Sequence, residues 1–365
     1  MKTKFLSSSL FLSIFALLGI GLVQVYSSSY IFAIESYGDG LYFFKKQLVF
    51  TFLALFGLVL AVQLPFSWIR KWGWVTWIAA AFLLLATFVP GLGVRVGGAL
   101  RWIQLPLGIR FEPSEFLKIA FSFLIAAFVC KHQTALKNIK WGWLVILLIA
   151  PLFILLKQPD FGSFAIILFV GVALLFTFGL SWKYLAAGAT AAIPVFYFLI
   201  WRVPYRKARV EAFLDPWSDP AQKGFQVIQS MLSFHSGGLT GQGLGQSQGK
   251  LFFLPEAHTD FTMAILGEEM GFVGICLILL LYGFVVFRGF RIAITTDDLF
   301  KKTLALGLTT TFALSVFINS GVVMGLLPTK GLTMPFLSYG GSSLLMVCFM
   351  FGVLLNIEMS EHYNK

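Results

Sequence analysis

Charge is what this chain has least of: Asp, Glu, Lys and Arg supply 12% of its 365 residues, where a soluble domain carries about 25%. So little charge excludes an ordinary soluble enzyme. Acidic residues are the scarcer sign, 16 against 27 Lys and Arg, for a net charge of +11. In a soluble protein that excess would suggest nucleic acid; in an apolar chain it reads as loop topology, anionic lipid headgroups or a phosphorylated substrate. Only three cysteines occur, Cys130, Cys276 and Cys348. Each lies inside an apolar run with no metal-ligand spacing, so they read as reduced residues facing lipid or core. The four histidines, His132, His235, His258 and His362, are scattered, and there is no Walker loop, GxSxG elbow, zinc spacing or dinucleotide fingerprint. A nucleotide-driven pump therefore has no support.

What is abundant is apolar: 58% of residues are hydrophobic, 41 are Phe and the mean hydropathy is +0.86. Runs of roughly 20 such residues satisfy their backbone in hydrocarbon only as helices. Spans are expected near 8–28, 46–64, 73–90, 113–130, 142–157, 161–180, 184–201, 261–287, 303–325 and 337–357, an all-α polytopic membrane protein of about ten transmembrane helices. Lys2 and Lys4 before the first run resemble a signal peptide. The run extends from Leu10 to Val25 with no small-residue cleavage site before Tyr26, so it is kept as the first membrane helix. Between the fifth and sixth spans, Lys157-Gln158-Pro159-Asp160 reads as a break, because Pro159 opposes a continuous helix.

An even number of spans places both termini on one side. Short loops such as Arg70-Lys71 and Lys131 to Lys140 carry little besides positive charge, which puts the termini in the cytoplasm. About half of the basic residues then fall outside or in the outer ends of helices, among them Lys45, Lys46, Arg95, Arg101, Arg110, Lys118 and Lys330. Snorkelling to headgroup phosphates suits some, Lys45 and Arg110 above all. The rest suggest something anionic on the outer side. One long hydrophilic segment, residues 202–260, is expected as a large extracytoplasmic loop. It holds apolar residues at helical spacing (Phe225, Ile228, Met231, Leu232), which predict a short amphipathic helix near Gly224 to Phe234, and a compact Gly cluster from Gly237 to Gly249.

Several polar clusters stand against this background. Leu254-Pro255-Glu256-Ala257-His258-Thr259-Asp260 runs straight into the helix expected from Phe261. Thr259 or Asp260 would cap that helix on one reading; on the other, Glu256, His258 and Asp260 form an acid/base or metal-binding group, with Asp260 the base because the helix start fixes its position. Glu268 and Glu269 sit two turns deeper and must meet a cation or a cavity. Arg101-Trp102 suits an interfacial anchor or a phosphate or sugar contact. Glu115 and Lys118 are spaced to pair on one helix face. Gln158-Pro159-Asp160 brings a carboxylate to a helix mouth, and Leu327 to Phe336 leads into Ser338-Tyr339-Gly340-Gly341-Ser342-Ser343, where a Gly-Gly step inside an apolar helix permits close approach.

Taken together, Gly98-Ala99-Leu100-Arg101-Trp102-Ile103, Pro113-Ser114-Glu115, Gln158-Pro159-Asp160, Leu254 to Phe261 and Glu268-Glu269 resemble the SEDS family (shape, elongation, division and sporulation). The resemblance covers nearly the whole chain, from Phe43-Phe44-Lys45-Lys46-Gln47 to Ser338-Tyr339-Gly340-Gly341-Ser342-Ser343. Phe213 to Pro220 and Gly325 to Thr333 are more similar to its cell-division branch than to its elongation branch. The resemblance implies one membrane domain over 1–365 and a peptidoglycan glycosyltransferase. Such an enzyme polymerises lipid II at the outer face of the cytoplasmic membrane, at the division septum, onto an undecaprenyl-diphosphate-linked glycan. It implies a class B penicillin-binding protein and other division proteins as partners, and no nucleic acid.

The family's catalytic Asp falls on Asp260. It would deprotonate the 4-hydroxyl of incoming lipid II, which attacks the anomeric carbon with inversion. The diphosphate leaving group would be held by Lys46, Arg101, Lys118 and Lys330, with or without a divalent cation (Mg or Mn). Trp102, Gln158, Asp160, Glu256, His258, Ser338 and Ser342 are further expected substrate contacts, and Glu115, Glu268 and Glu269 are expected to be structural. Departures from the family pattern are small: Leu100 stands where a second Arg is common, Met334 where Leu is common, and Thr262-Met263 replaces Ile-Phe. Two other readings stay open, a lipid II transporter, which needs the cations and groove but no positioned base, and a non-catalytic division scaffold.

Overall fold

The structure, a computed structural model, describes residues 4–96, 98–131, 142–179 and 181–362; the expectations on Lys2, Gly97, His132, Lys137, Lys140, Leu180 and Lys365 fall outside them. Among the described residues the helices are α1 (Ser9–Tyr37), α2 (Tyr42–Val62), α3 (Phe66–Ala86), α4 (Pro113–Lys131), α5 (Gly142–Lys157), α6 (Phe161–Thr177), α7 (Trp182–Trp201), α8 (Pro204–Leu214), α9 (Phe225–Gly237), α10 (Thr262–Thr295), α11 (Leu299–Val323) and α12 (Gly341–His362). Seven, α1 to α4 and α10 to α12, are long and apolar enough to cross a membrane. The apolar α5, α6 and α7 bring the number to the ten expected.

Helix ends follow local chemistry. α1 continues past its expected end because Tyr30, Phe32 and Ile34 extend the apolar pattern; only Gly38, at φ 71°, stops it, its N–H capping the Ile34 carbonyl at 2.9 Å. The break expected at Pro159 is present, and Asp160 caps α6 by accepting from the Ser163 N–H at 3.1 Å. α12 starts at Gly341, later than expected. The segment from Met334 to Gly340 turns instead, closed by the Met334 N–H donating to Ser338 Oγ at 2.9 Å. The Gly-Gly step thus sits at the helix start rather than inside it, although its purpose is the expected close approach: a Cβ on Gly341 would lie 2.6 Å from the Phe50 ring.

In the packed bundle α2 lies on α12, α3 on α4, α4 on α11, α11 on α10 and α10 on α1, with α1 returning to α2. Alternation of ten spans then places the links α1–α2, α3–α4, α5–α6, α7–α10 and α11–α12 on one face. The α3–α4 link carries an element that the sequence pattern did not reveal, an antiparallel sheet of β1 (Gly93–Val96), β2 (Ala99–Gln104) and β3 (Arg110–Phe111) in that order. Val94 pairs with Trp102, and Ile103 with Phe111. The segment 202–260 contains the expected amphipathic helix as α9 and also α8, which was not foreseen.

α10 is not the uninterrupted helix expected from its hydropathy. It breaks at Gly271, φ 66° and ψ −169°, a backbone state that a side chain does not tolerate. The chain from Gly238 to Gly243 fills the gap. Gln242 and Gly243 donate their N–H groups to the carbonyls of Glu268 and Glu269, while Phe272 and Val273 donate to Gly238 and Leu239. Backbone groups freed by the break are satisfied within the protein, the condition for irregular backbone at membrane depth.

Candidate functional site

The sequence motifs converge where the first turns of α4, α6, α10 and α12 face the same side. Four helix N-termini there turn their positive dipole ends to that side, a setting that favours anions. β2 delivers Arg101, whose guanidinium donates to the carbonyls of Gln158 at 3.4 Å and Pro159, fixing the sheet to the α5–α6 corner. Across the loop 324–340, Gly331 approaches so closely that a Cβ would lie 3.0 Å from Arg101 Nη1 and 3.3 Å from Asp260 Oδ2. A carboxylate and a guanidinium thus flank one glycine. Asp260 is half-buried, and burial, then the neighbouring Glu256, push its carboxyl up to about 7 against the opposing pull of Arg101 and Arg209. A carboxylate so placed is matched to proton transfer near neutral pH.

Around this pair the charges alternate. Lys330 lies over the Phe161 ring at 5.3 Å; burial lowers its ammonium while the Asp160 charge raises it. Asp160 keeps one buried oxygen, Oδ2, without a hydrogen-bond partner. Lys118 and Glu115 form the expected ion pair, 2.8 Å apart and buried. Glu112, which the sequence reading passed over, has its carboxyl raised by burial and then by Glu115 and Asp160, with Arg101 and Lys118 opposing. A small cavity of about 20 Å³ lies against this ion pair, lined by Glu115, Lys118, Thr311, Ser315, Leu332 and Thr333 among others.

Other expected site residues are engaged elsewhere. His258 does not point with Asp260: its ring stacks on Phe32 at 5.1 Å and lies 4.9 Å from Phe43, and burial holds it below the usual imidazole range. Glu256, at φ 58°, is exposed and accepts from the Thr259 hydroxyl at 2.6 Å. Neither Thr259 nor Asp260 caps α10, whose first residue follows Phe261 with no side-chain cap. Gln158 is buried and gives its amide to the Leu84 carbonyl at 2.9 Å and the Thr87 hydroxyl at 2.6 Å. Ser342 bridges the Glu112 N–H and the Arg110 carbonyl. Lys46 bonds the Tyr42 hydroxyl at 2.6 Å, Lys45 pairs with Asp39 at 2.8 Å, and Trp102 stands half-buried on β2.

Glu268 and Glu269 lie outside the site. Glu269 meets Lys250 at 3.0 Å and Ser27 at 2.5 Å, so its cation comes from the loop and not from another span. Glu268 meets no cation; it accepts from Ser247 Oγ and from the N–H groups of Gln248 and Gly249. For a divalent cation, no three His, Cys, Asp or Glu side chains converge among the described residues.

Two residues were missed that act on the site through the backbone. Arg209 of α8 donates to the Thr329 carbonyl at 3.1 Å, and Asn319 of α11 donates to the Asp260 carbonyl at 3.1 Å. An amide inside an apolar helix is itself a signal of function, and it was available in the sequence.

Fold and site define a polytopic membrane protein with a carboxylate and a cluster of cations at one membrane face. The chain belongs to the FtsW/RodA/SpoVE family of cell cycle proteins, whose model matches residues 8–363. It is 42% identical over 345 residues to the "probable peptidoglycan glycosyltransferase FtsW" of Geobacter sulfurreducens, covering 94% of this chain and 92% of that one. Stage V sporulation protein E of Bacillus subtilis is 37% identical over 367 residues, the full length of both. Among solved structures, a chain of a peptidoglycan synthase complex that coordinates polymerization and crosslinking superposes with a TM-score of 0.78 at 28% identity, over 97% of each chain. The rod shape determining protein RodA of Thermus thermophilus shares the fold, with a TM-score of 0.68 over 97% of this chain and 96% of that one, at 24% identity.

Proposed function

We propose that this protein is a peptidoglycan glycosyltransferase that polymerises lipid II at the outer face of the cytoplasmic membrane during septal wall synthesis, with both termini in the cytoplasm. The carrying observation is the placement of Asp260 opposite Arg101 across Gly331. Asp260 takes the proton from the acceptor 4-hydroxyl as that oxygen attacks the anomeric carbon, and the bond to the diphosphate breaks with inversion. Arg101, Lys118 and Lys330 stabilise the charge that develops on the departing diphosphate. A divalent cation would enter with the phosphates rather than in a protein cage, as Mg²⁺ commonly does; the step as written does not depend on it. A site at a membrane face suits two substrates whose lipid tails stay in the bilayer.

The partner is a class B penicillin-binding protein, a proposal supported by the likeness to a synthase complex that joins polymerization to crosslinking. The test is purified protein with that partner and lipid II, read as glycan ladders on a gel. Wild type makes ladders and Asp260→Asn makes none. Undiminished ladders from the variant would overturn the base, and movement of lipid II across vesicles without any glycan would make the protein a transporter.

A further inference from the structure

Asn319 lies in α11 one turn before its end at Val323, in the interior of an apolar bundle, and is 2% exposed. Its Nδ2 donates to two backbone carbonyls, that of Asp260 at 3.1 Å and that of Leu332. Both neighbours are acceptors, so the nitrogen, not the oxygen, must face them. Oδ1 is then left buried without a partner, a cost that an apolar side chain of the same size would avoid. The two carbonyls belong to separate segments. One is the residue placed as the base; the other follows Gly331, the glycine against which Arg101 Nη1 and Asp260 Oδ2 both lie, and stands two residues after Lys330.

We infer that Asn319 is a positioning residue for glycosyl transfer, a single amide that holds the Asp260 backbone and the Lys330–Leu332 backbone in fixed register so that base and cations address one substrate. This rests on the proposed role of Asp260. Arg209 donates to the Thr329 carbonyl, and Ser338 closes the loop further on. Reacting groups must be held to within a fraction of an ångström, and a shift of about 1 Å costs about 100-fold in rate. The register therefore governs turnover more than affinity, since Arg101 and Lys118 are held by other contacts and still meet the lipid when the base is displaced.

The charged groups that bear on Asp260 are Glu256 on its own loop, Arg101 on β2 and Arg209 on α8; α11 contributes only the neutral amide of Asn319. Putting a carboxylate there adds a like charge beside the base and moves its titration to higher pH. The experiment measures polymerisation of lipid II by the full-length protein in nanodiscs with its transpeptidase partner, for wild type, Asn319→Leu, Asn319→Asp and Asp260→Asn, with melting temperatures for each. The expected result is about 100-fold lower kcat for Asn319→Leu with KM within about threefold, and for Asn319→Asp an acid limb of the pH–kcat profile displaced upward. A purely structural amide would lower the amount of folded protein and leave kcat per folded molecule within about threefold of wild type.

Asn319→Leu within about threefold of wild type in kcat, with Asp260→Asn inactive, overturns the positioning role and leaves the base standing. If Asn319→Leu does not fold, Asn319→Asp with a high-pH plateau of kcat within about threefold of wild type overturns the role equally. Full activity of Asp260→Asn instead removes the base, and with it the reason for the register.

Discussion

At the scale of single residues, environment separated side chains that the sequence makes equivalent. Glu256, His258 and Asp260 stand within five positions, yet one is exposed, one is stacked among aromatic rings and one is raised to about 7 beside an arginine. Two outcomes follow for Asp260. Turnover should rise with pH through about 7 and level off above it, because only the ionised carboxylate accepts a proton; Glu256→Gln removes the repelling charge and should move that limb to lower pH. Stability runs the other way. The folded carboxyl titrates above its ordinary value of 3.8, so the unfolded state releases its proton first and stability falls as pH rises from 3.8 to about 7. Melting curves at pH 5 and pH 8 should therefore show Asp260→Asn gaining on wild type at the higher pH, and an equal difference at both would contradict the burial of this carboxyl.

At the scale of elements, the broken α10 and the Gly-rich segment from Gly237 to Gly249 make one unit. The backbone bonds across Gly271 hold its near end, and Lys250 with Glu269 and Ser27 holds its far end. The ion pair is buried, with the two side chains 7% and 0% exposed. Removing one partner of such a pair costs about 3–5 kcal/mol, because the remaining charge stays in the interior. Lys250→Met should therefore lower the melting temperature and speed proteolysis between Gly238 and Phe253. The double variant with Glu269→Gln should recover much of that loss, since no buried charge is then unpaired; a double variant as unstable as the single one would count against the pairing. The hydropathy of α10 dips at Glu268 and Glu269 and recovers after Gly271, but such a dip marks a polar spot and not by itself a break in the backbone. The break exists because a second segment is present to take up the freed backbone groups.

At the scale of the whole molecule, topology follows from span parity. Leu239 and Asp297 are both exposed and lie on opposite faces of the bundle, after α9 and between α10 and α11. In intact cells a membrane-impermeant maleimide should label Leu239→Cys and reach Asp297→Cys only after permeabilisation. The reverse pattern would place the site in the cytoplasm, where a wall polymerase has no product to build.

The sequence by itself determined the class of the protein, its ten spans and the stretches that hold its site. Runs of about 20 apolar residues have one way to satisfy their backbone in lipid, and the polar exceptions to them are few enough to read individually. It placed Asp260, Arg101, Asp160 and Lys330 near span ends on a common side, and it paired Glu115 with Lys118 from helix spacing alone. Only the tertiary structure decided which polar groups share a space. The short sheet that carries Arg101 has too few residues for its alternation to stand out. The partners of Glu268 and Glu269 come from a loop about 20 positions away and, with Ser27, from α1, and the stacking of His258 on Phe32 joins α1 to the start of α10. Asn319 was visible as an amide in an apolar helix, but that its amide grips both Asp260 and Leu332 depends on α11 packing beside the turn before α10 and the loop before α12. Distances between segments far apart in the chain are set by packing, and a one-dimensional pattern carries no record of them.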